Sequence, residues 1–274
     1  MSLPYFSVII PTLNEEKFLP KLLKDLEKQI FNDFEVLIID GGSTDGTLFT
    51  IEKFKKKLEI RILQSNKKSV SYQRNYGAKR AKGKFLVFLD ADTRITSSFL
   101  KKIYKFITKE KSLIIIPFII PTEKGAEIKV LIDIVNWLIA LSQRTTKPFS
   151  SGGNMIVEKN FFYLIGGFND KLFLAEDHDL IQKAHQWGVK AKLSPKIKVK
   201  FNLRRMKREG RLVFLYKSLL STFHVLIKGK ITKKIFDYPM GGAYLNSNKK
   251  LSKLSFSEIN NYIKKIRKFL DIKL

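Results

Sequence analysis

The sequence predicts a three-layer α/β fold with a mostly parallel central sheet. First, strand-like apolar runs alternate with helix-like segments over residues 6–108, and this alternation is typical of βαβ units with right-handed crossovers. Second, residues 85–89 are five consecutive apolar residues, as expected of a strand buried on both faces in the middle of a parallel sheet. Third, that run is followed by Asp90-Ala91-Asp92, and such sheets bind ligands at the carboxyl ends of their strands.

The individual elements follow from apolar periodicity and from the residues that interrupt it. Strands are predicted at residues 6–10, 35–40, 60–64, 85–89, 113–119, 155–157 and 196–201. Helices are predicted after an N-cap at Asn14, over residues 47–58, 71–82, 98–108, 127–143 and 175–187, and in a basic tail from residue 204. Gly83 is expected to stop the third helix. Pro117, inside a strand, predicts a sheet edge or a bulge.

Composition limits the class of protein. The 274 residues, 44% of them hydrophobic, are enough for one large domain or a domain with an appendage. Lys and Arg number 52 against 25 Asp and Glu, so the formal net charge is +27. This charge favours polyanionic partners, which include nucleic acid, an anionic membrane surface and phosphorylated small molecules. The absence of cysteine removes disulfides, thiolate metal sites and cysteine nucleophiles.

Several familiar features are missing from the sequence. It has neither a G-x-G-x-x-G after the first strand nor a G-x-x-x-x-G-K-[ST] anywhere, so a dehydrogenase or a P-loop enzyme is not expected. It shows no secretory signal and no apolar window long enough to span a membrane. The expected location is therefore cytoplasmic, either free or peripheral on the inner face of the cell membrane.

Asp90 and Asp92 are the candidates for a metal site. Residues two apart on an extended chain share a face, so both carboxylates can point into one cleft. A carboxylate pair together with substrate phosphates is a common way of holding Mg²⁺ or Mn²⁺. Taken alone, the same residues are also consistent with a solvated Asp-Ala-Asp turn.

Two apolar helices have alternative interpretations. The helix at residues 127–143 and the basic helix after Arg211 either pack on the α/β core or form an interfacial patch. In the second case their apolar sides face lipid and their lysines meet anionic headgroups. Trp137, on the first of these helices, is expected to belong to the core rather than to a sugar-binding platform.

The C-terminal quarter is predicted to form a basic helical extension. One apolar stripe is formed by Leu212, Leu215, Leu219, Phe223 and Leu226. Ser255 and Glu258 fit a capping box ahead of a final amphipathic helix. The predicted organisation is a main domain over residues 1–205 and an extension over residues 206–274, packed on the domain or on a membrane surface.

Five short motifs carry a family resemblance when they are taken together. They are residues 7–15 (SVIIPTLNE), 40–47 (DGGSTDGT), 90–92 (DAD), 166–168 (GGF) and 176–179 (EDHD). In this order they resemble family 2 glycosyltransferases, which are inverting enzymes of the GT-A fold that use nucleoside-diphosphate sugars. The resemblance covers about residues 5–210, and residues 73–78 (QRNYGA) are similar to a segment that such enzymes place between strands three and four.

The resemblance implies a role for each matching residue. The nucleotide-sugar site would consist of Pro11, Thr12, Asn14, Glu15, Asp40, Arg74, Asp90, Ala91 and Asp92. Asp92 would bind the Mg²⁺ or Mn²⁺ that bridges the diphosphate, and Arg204 and Arg205 would lie near the same phosphates. The floor for the donor sugar and acceptor would be formed by Gly152, Gly153 and Asn154, with Glu176 on the acceptor and Asp177 as the general base.

The chemistry of an inverting transfer fits these roles. A carboxylate within about 3 Å of the acceptor hydroxyl can take its proton, and cations stabilise the charge that develops on the departing diphosphate. An acceptor that is itself a lipid phosphate, with a second pKa of about 6, is already ionised, and Asp177 would then only orient it. From the residues alone, Asp40 can also be a simple helix cap and Asp177 an ordinary first-turn acid.

Departures from the family pattern narrow the activity. Lys183 stands where many relatives have arginine after the acidic motif, and the Gln-x-x-Arg-Trp motif of processive synthases is absent. Transfer of a single sugar is therefore expected, from a UDP- or GDP-linked donor to a lipid-linked or glycan acceptor. The alternatives are a nucleotidyltransferase, which needs a Gly-rich basic loop after strand one, and a nucleic-acid-binding protein, which needs exposed aromatic residues interleaved with charge. The aromatic residues mostly fall on apolar stripes, so nucleic acid is not the expected partner.

Overall fold

The computed structural model describes residues 3–122, 125–150, 152–233, 235, 236 and 242. Its strands are β1 (Phe6–Thr12), β2 (Phe34–Asp40), β3 (Ile60–Gln64), β4 (Phe85–Phe88), β5 (Ile114–Pro121), β6 (Met155–Glu158) and β7 (Lys192–Phe201). Its helices are α1 (Leu19–Glu27), α2 (Thr47–Ile51), α3 (Val70–Ala78), α4 (Phe99–Glu110), α5 (Ala126–Ser142), α6 (Lys159–Leu164), α7 (Glu176–Gln186), α8 (Arg204–Glu209) and α9 (Arg211–Lys228). The strands of this described part form one sheet in the order β3-β2-β1-β4-β6-β5-β7.

Apolar side chains on the two faces of the sheet form two cores, because successive strand residues point to opposite faces. On β1, Val8 and Ile10 face the core that is built with α1, α2 and α4, whereas Ile9 faces the core that is built with α3, α6 and α7. All three side chains are fully buried, as expected of an interior strand. The structure thus confirms the predicted three-layer α/β fold.

The direction of the strands decides which loops meet at the candidate site. β1, β2 and β4 run parallel, so their carboxyl ends lie at the same edge of the sheet. β6 runs antiparallel to β4, with Met155 opposite Phe88. Because β6 is reversed, the residue that precedes it, Asn154, lies next to the residues that follow β4.

The predicted N-cap at Asn14 is wrong. A cap at Asn14 would make residue 15 the first residue of the helix, whereas α1 begins four residues later, at Leu19. Asn14 instead has a φ of 54°, a conformation that asparagine adopts more readily than most residues. Its Oδ1 accepts the backbone N–H of Thr44 at 2.7 Å. The side chain therefore ties the loop after β1 to the loop after β2 and does not start a helix.

Two further predicted boundaries are wrong. The second helix does not continue to residue 58, since α2 ends at Ile51 and only a 3-10 turn over Glu52–Phe54 follows. The third helix ends at Ala78, so Gly83 is not its stop signal. A Cβ on Gly83 would lie 2.5 Å from the backbone nitrogen of Ser7. Glycine is required there by the close approach of β1.

The predictions for β5 and β7 are confirmed. The register between these strands shifts between Pro117 and Phe118, where the internal proline predicted an irregularity. On β7 the side chains of Ile197 and Val199 are fully buried, whereas Lys196, Lys198 and Lys200 are exposed, as the alternating pattern indicates.

Helix α5 covers an open stretch of β5. β5 pairs with β6 only at Ile114 and Ile115, so its later residues have no strand on that side. The Asn136 side chain supplies the missing partner, because its Nδ2 donates to the carbonyl of Ile119 at 2.8 Å and its Oδ1 accepts the N–H of Ile119 at 3.0 Å. Trp137, the next residue, is 62% exposed. Its expected place in the core is wrong, since the core-facing side of α5 is the side of Asn136.

The tail of the chain is described only in part. α8 and α9 confirm that the segment after residue 203 is helical. The side chains of the predicted stripe on α9, and the predicted capping box with its helix, lie outside the described residues. The division at residues 205 and 206 remains a prediction. In the described ranges, none of the helices combines the length and the apolar character that crossing a membrane requires.

Replacement of Asn136 by alanine is expected to destabilise the fold. It leaves the buried N–H and C=O of Ile119 without partners, and each such group costs about 1–3 kcal/mol. The free energy of unfolding in urea should fall by about 3 kcal/mol. Asp133→Ala, an exposed position on the same helix, is the control and should change it by less than about 0.5 kcal/mol. Equal stabilities of the two variants would contradict the role of Asn136.

Candidate active site

A buried arginine joins the two halves of the predicted site. Arg74 lies on α3 with a side chain only 3% exposed. Its Nη2 donates to Asp90 Oδ1 at 2.7 Å, and its Nη1 donates to Glu176 Oε1 at 2.8 Å. Burial would lower the pKa of Arg74, but these two carboxylates raise it above its ordinary value. The acid that follows β4 and the acid that begins α7 therefore share one permanent cation.

The loop before β6 passes so close to Arg74 that position 153 cannot accommodate a side chain. A Cβ on Gly153 would overlap the Arg74 guanidinium. Gly152 has a φ of 114°, which strongly favours glycine. Asn154 ends the loop, and its Oδ1 accepts the N–H of Asp90 and the hydroxyl of Thr93, each at 3.0 Å. The segment 152–154 is therefore fixed against the acidic turn after β4.

Arg204 forms a second ionic cluster at the same edge of the sheet. Its Nη1 donates to Glu15 Oε2 at 2.8 Å, its Nη2 contacts Glu15 Oε1 at 2.5 Å, and its Nε lies 2.8 Å from Asp92 Oδ2. The guanidinium also lies over the ring of Phe18. Burial raises the pKa of Asp92 to about 6, even though Arg204 acts in the opposite direction. The predicted metal ligand is thus neutralised by a residue from the far end of the domain.

Asp90 and Asp92 are suited to a divalent cation whose other ligands come from the phosphates of a substrate and from water. In the described residues no group of three or more His, Asp or Glu side chains is arranged to hold a metal. Asp90 and Asp92 alone supply the one or two carboxylates with which Mg²⁺ is usually held when phosphate oxygens and waters complete its coordination. The donor set fits a cation shared with a diphosphate, and it does not fit an all-protein cage.

The loop after β2 is organised by Asp40. Its Oδ2 accepts the backbone N–H groups of Gly42 and Ser43 at 3.0 Å each, and its Oδ1 accepts the Ser43 hydroxyl at 2.5 Å. Asp40 is not the cap of the following helix, which was the alternative role, because α2 begins only at Thr47. Asp40 shapes the turn itself, and its place in the nucleotide-sugar site stays a prediction.

Gln73 was not singled out from the sequence, although it positions the same edge. Its Nε2 donates to the carbonyls of Thr12 at 3.0 Å and Ile39 at 2.7 Å, so it ties the ends of β1 and β2 together. The available indication in the sequence was its place beside Arg74 in the segment 73–78. β1 extends through Pro11 to Thr12, past its predicted end at residue 10.

Asp177 is buried and held from two sides. Its Oδ2 accepts the N–H of Gly152 at 2.7 Å, and its Oδ1 lies 3.2 Å from Nδ1 of His178. Burial would raise the pKa of Asp177, but His178, the Gly152 N–H and Arg74 together lower it to about 2. For His178, burial acts to lower the pKa, whereas Asp177 and Glu176 raise it above its ordinary value. Asp177 is therefore ionised across the physiological range.

Glu176 has the opposite tendency. Burial raises its pKa, and its ion pair with Arg74 opposes this shift. Adjacent acids at the start of α7 thus differ in environment, since one is paired with arginine and the other with a histidine and a backbone N–H.

The structure brings most of the predicted residues together and separates a few. The two ionic clusters and their supporting loops contain Glu15, Arg74, Asp90, Asp92, Gly152, Gly153, Asn154, Glu176, Asp177 and Arg204. Ala91 packs in the apolar core, which leaves only its backbone for a ligand. Arg205 lies 3.7 Å from Glu209 on its own helix and is not in either cluster, so its diphosphate role remains a prediction.

A comparison with protein families decides the class of this protein. Residues 7–168, more than half of the chain, match the family model described as Glycosyl transferase family 2. The chain belongs to this family. The predicted family and the predicted class of enzyme are therefore confirmed, and the clusters described above lie in a glycosyltransferase.

Two curated relatives are longer proteins, and this chain matches only part of each. Poly(ribitol-phosphate) beta-N-acetylglucosaminyltransferase TarS from Staphylococcus aureus is 31% identical over 191 residues, which are 66% of this chain and 32% of TarS. A dolichyl N-acetyl-alpha-D-glucosaminyl phosphate 3-beta-D-2,3-diacetamido-2,3-dideoxy-beta-D-glucuronosyltransferase from Methanococcus voltae is 37% identical over 115 residues, covering 39% of this chain and 36% of that protein. The chain spans about a third of the length of these relatives.

Solved structures share the fold. TarS residues 1–349 in complex with UDP-GlcNAc has a TM-score of 0.59 at 25% identity, covering 73% of this chain and 58% of that one. Mannosyltransferase PcManGT from Pyrobaculum calidifontis, in complex with GDP-Man and Mn²⁺, has a TM-score of 0.66 at 18% identity, covering 83% and 65%. The second likeness concerns the fold alone. The GT-A fold class predicted from the sequence is confirmed.

Gly153→Ala is expected to displace Arg74, because the added methyl group would overlap its guanidinium. A misplacement of about 1 Å can cost about 100-fold in rate, so sugar transfer measured as kcat/KM should fall by at least that factor. Gly125→Ala is the control, since its methyl group would meet only Ile128 at 3.7 Å. Unchanged kinetics in a folded Gly153→Ala protein would show that Arg74 tolerates the loop.

His178→Asn should destabilise the protein in a pH-dependent way. The raised pKa of His178 contributes stability that is complete below its ordinary value of 6.5 and is lost as the pH rises through the folded value. The lowered pKa of Asp177 contributes stability above 3.8 that is lost as the pH falls toward about 2. The loss of unfolding free energy should therefore be largest between about pH 4 and 6.5.

Urea unfolding at several pH values measures this difference. His185→Asn, about two turns further along the same helix, is the control for replacing a histidine on α7. A loss of stability for His178→Asn that is the same at about pH 5 and about pH 9 would exclude the charged pair as its cause.

Proposed function

We propose that this glycosyltransferase moves a single sugar from a UDP- or GDP-linked donor to a lipid-linked or glycan acceptor, with inversion and with assistance from Mg²⁺ or Mn²⁺. The observation that carries the proposal is the double ion pair of Arg74, which groups the acids of the predicted donor and acceptor sides around one cation. The relatives support the donor class, since TarS is in complex with UDP-GlcNAc and PcManGT with GDP-Man and Mn²⁺. The name of TarS includes poly(ribitol-phosphate), and the name of the Methanococcus voltae relative includes dolichyl N-acetyl-alpha-D-glucosaminyl phosphate.

Asp177 is the proposed general base. The acceptor oxygen attacks C1 of the donor sugar, the bond from C1 to the diphosphate oxygen breaks, and the hydroxyl proton passes to Asp177. With a pKa of about 2 the carboxylate is ionised at neutral pH, and the Gly152 N–H fixes one of its oxygens. One base and one displacement from the face opposite the diphosphate give inversion. For an acceptor that is already ionised, such as a lipid phosphate, Asp177 orients the attacking group instead.

The leaving nucleoside diphosphate needs positive charge around it. Arg204 holds one such charge beside Asp92 and Glu15, and the Arg74 cation lies beside Asp90. When a divalent cation is bound, it supplies further charge at the leaving phosphates. Asp92, with Asp90 as its neighbour, would hold that cation together with the diphosphate oxygens. The proposed location of the enzyme is the cytoplasm or the inner face of the cell membrane, where nucleotide sugars are available.

A panel of UDP, GDP, dTDP and CDP sugars, each with and without Mn²⁺, tests donor and metal together by thermal shift. One nucleotide should raise the melting temperature, with a larger rise when Mn²⁺ is present. Asp92→Asn should abolish the metal-dependent part of the rise, because a neutral amide is a weaker ligand for a hard cation. Asp170→Asn, an exposed acid, is the control and should behave as the parent.

Asp177→Asn separates donor binding from transfer. Donor binding should be intact, whereas transfer to a hydroxyl acceptor should fall by about 1,000-fold, the typical contribution of a general base. The anomeric configuration of the product, determined by NMR, should be opposite to that of the donor. Retention of configuration, or full transfer by Asp177→Asn to a hydroxyl acceptor, would refute the proposed mechanism.

A further inference from the structure

The outer side of α5 is an unusual apolar surface. Six large apolar residues on this helix are each at least 40% exposed, namely Val130, Leu131, Ile134, Trp137, Leu138 and Leu141. The opposite side of the helix holds Ile132, Asn136 and Ile139, which are buried against the sheet. The helix is therefore apolar on both sides, with one side covered by protein and the other facing solvent.

A helix with this pattern is normally buried on both sides. Single exposed apolar residues on a soluble protein need no explanation, but a contiguous apolar surface marks a contact with a protein or a membrane. At 17 residues with Glu127 and Asp133 among them, α5 is short for a membrane span. It has the character of a helix that lies in the plane of an interface.

We infer that the outer face of α5 docks on an anionic lipid bilayer. Tryptophan is enriched where one side of a helix meets the boundary between hydrocarbon and headgroups, and Trp137 is the most exposed of the six apolar residues. The chain carries a net charge of +27, which attracts it to anionic lipid. The same charge on two copies would repel, so it opposes pairing of this face with a second molecule.

Basic residues are found on α5, directly after it, and on a strand next to the one that it covers. Lys129 is on the helix itself, and Arg144 and Lys147 follow its C-terminal end. The exposed lysines of β7 are on the strand next to β5, the strand that α5 covers. Apolar contact with lipid and charge contact with headgroups are therefore available on the same part of the molecule.

The end of α5 is connected to the candidate acceptor side by direct contacts. The Ser142 hydroxyl accepts the N–H of Phe149 at 3.2 Å, and Gln143 Nε2 donates to the carbonyl of Phe149 at 2.9 Å. The Phe149 ring packs on His178, with 5.8 Å between the ring centroids, and His178 is the neighbour of Asp177. Docking through α5 would thus bring the base close to a membrane-borne acceptor. This last step rests on the proposed function, whereas docking itself does not.

Flotation of the 274-residue chain with lipid vesicles tests the docking. Vesicles of phosphatidylcholine containing about one third phosphatidylglycerol should bind the protein, and vesicles of phosphatidylcholine alone should bind it much less. A double variant, Trp137→Ser with Leu141→Ser, changes two exposed positions and should lower partitioning into anionic vesicles by at least about tenfold. Trp187→Ser removes a tryptophan that is 57% exposed elsewhere on the surface, and it should leave partitioning unchanged.

Fluorescence locates the contact. The chain has two tryptophans, so in Trp187→Phe all tryptophan emission comes from Trp137. Anionic vesicles should shift this emission to shorter wavelength, and brominated lipid should quench it. Emission that is already shifted without vesicles would show that another part of the protein covers this face, and it would overturn the inference.

Two other results would also overturn it. Absence of binding to anionic vesicles excludes the bilayer as the occupant. Equal binding by the double variant and the parent assigns the lipid contact to another surface. A dimer that the parent forms and the double variant loses assigns the outer face of α5 to a second copy. All of these measurements are made without a nucleotide sugar, so failure of docking is distinguishable from failure of the proposed transfer reaction.

Discussion

The site depends on one buried cation. Arg74 is the common partner of Asp90, at the end of β4, and Glu176, at the start of α7, and these segments are far apart in the chain. Loss of one member of such a buried group leaves an uncompensated charge, which costs far more than a surface ion pair gives. Gly153 has no side chain because the guanidinium occupies that space. The arginine therefore helps to fix the relative position of these three segments, together with the hydrogen bonds from Asp90 to Asn154 and from Gly152 to Asp177.

Around this cation the site collects more acids than bases, and the acids are compensated in different ways. Asp92 and Glu15 share Arg204, which comes from beyond β7. Asp177 relies on His178 and a backbone N–H. These differences separate the pKa of Asp92, raised by burial, from that of Asp177, which is lowered. Asp177 therefore keeps its charge across the physiological range, whereas Asp92 is protonated more readily.

The sequence predicted the fold class and the strands, since buried strands have continuous apolar runs, and it predicted that the acids after these strands collect at one edge. The other members of the clusters, such as Arg74 and Asp177, were implied by the family resemblance. It failed where a side chain serves a distant segment. Asn14 has the chemistry of a helix cap, but its oxygen is used by the loop after β2. Gly83 resembles a helix stop, but β1 passes against it. Trp137 lies on an apolar helix whose two sides cannot be distinguished by composition, so only the position of Asn136 shows which side is covered.

The reversed direction of β6 has a consequence for how such an enzyme can change. Because β6 returns beside β4, both ends of the stretch between β5 and Asn154 are anchored in the sheet. The outer surface of α5 lies in this stretch and takes no part in the two ionic clusters, so it can vary as long as Gly152 and Gly153 keep their places beside Asp177 and Arg74. If α5 docks as inferred above, exchange of this outer surface between related chains would change where the enzyme binds. The residues proposed to hold the activated sugar would stay the same.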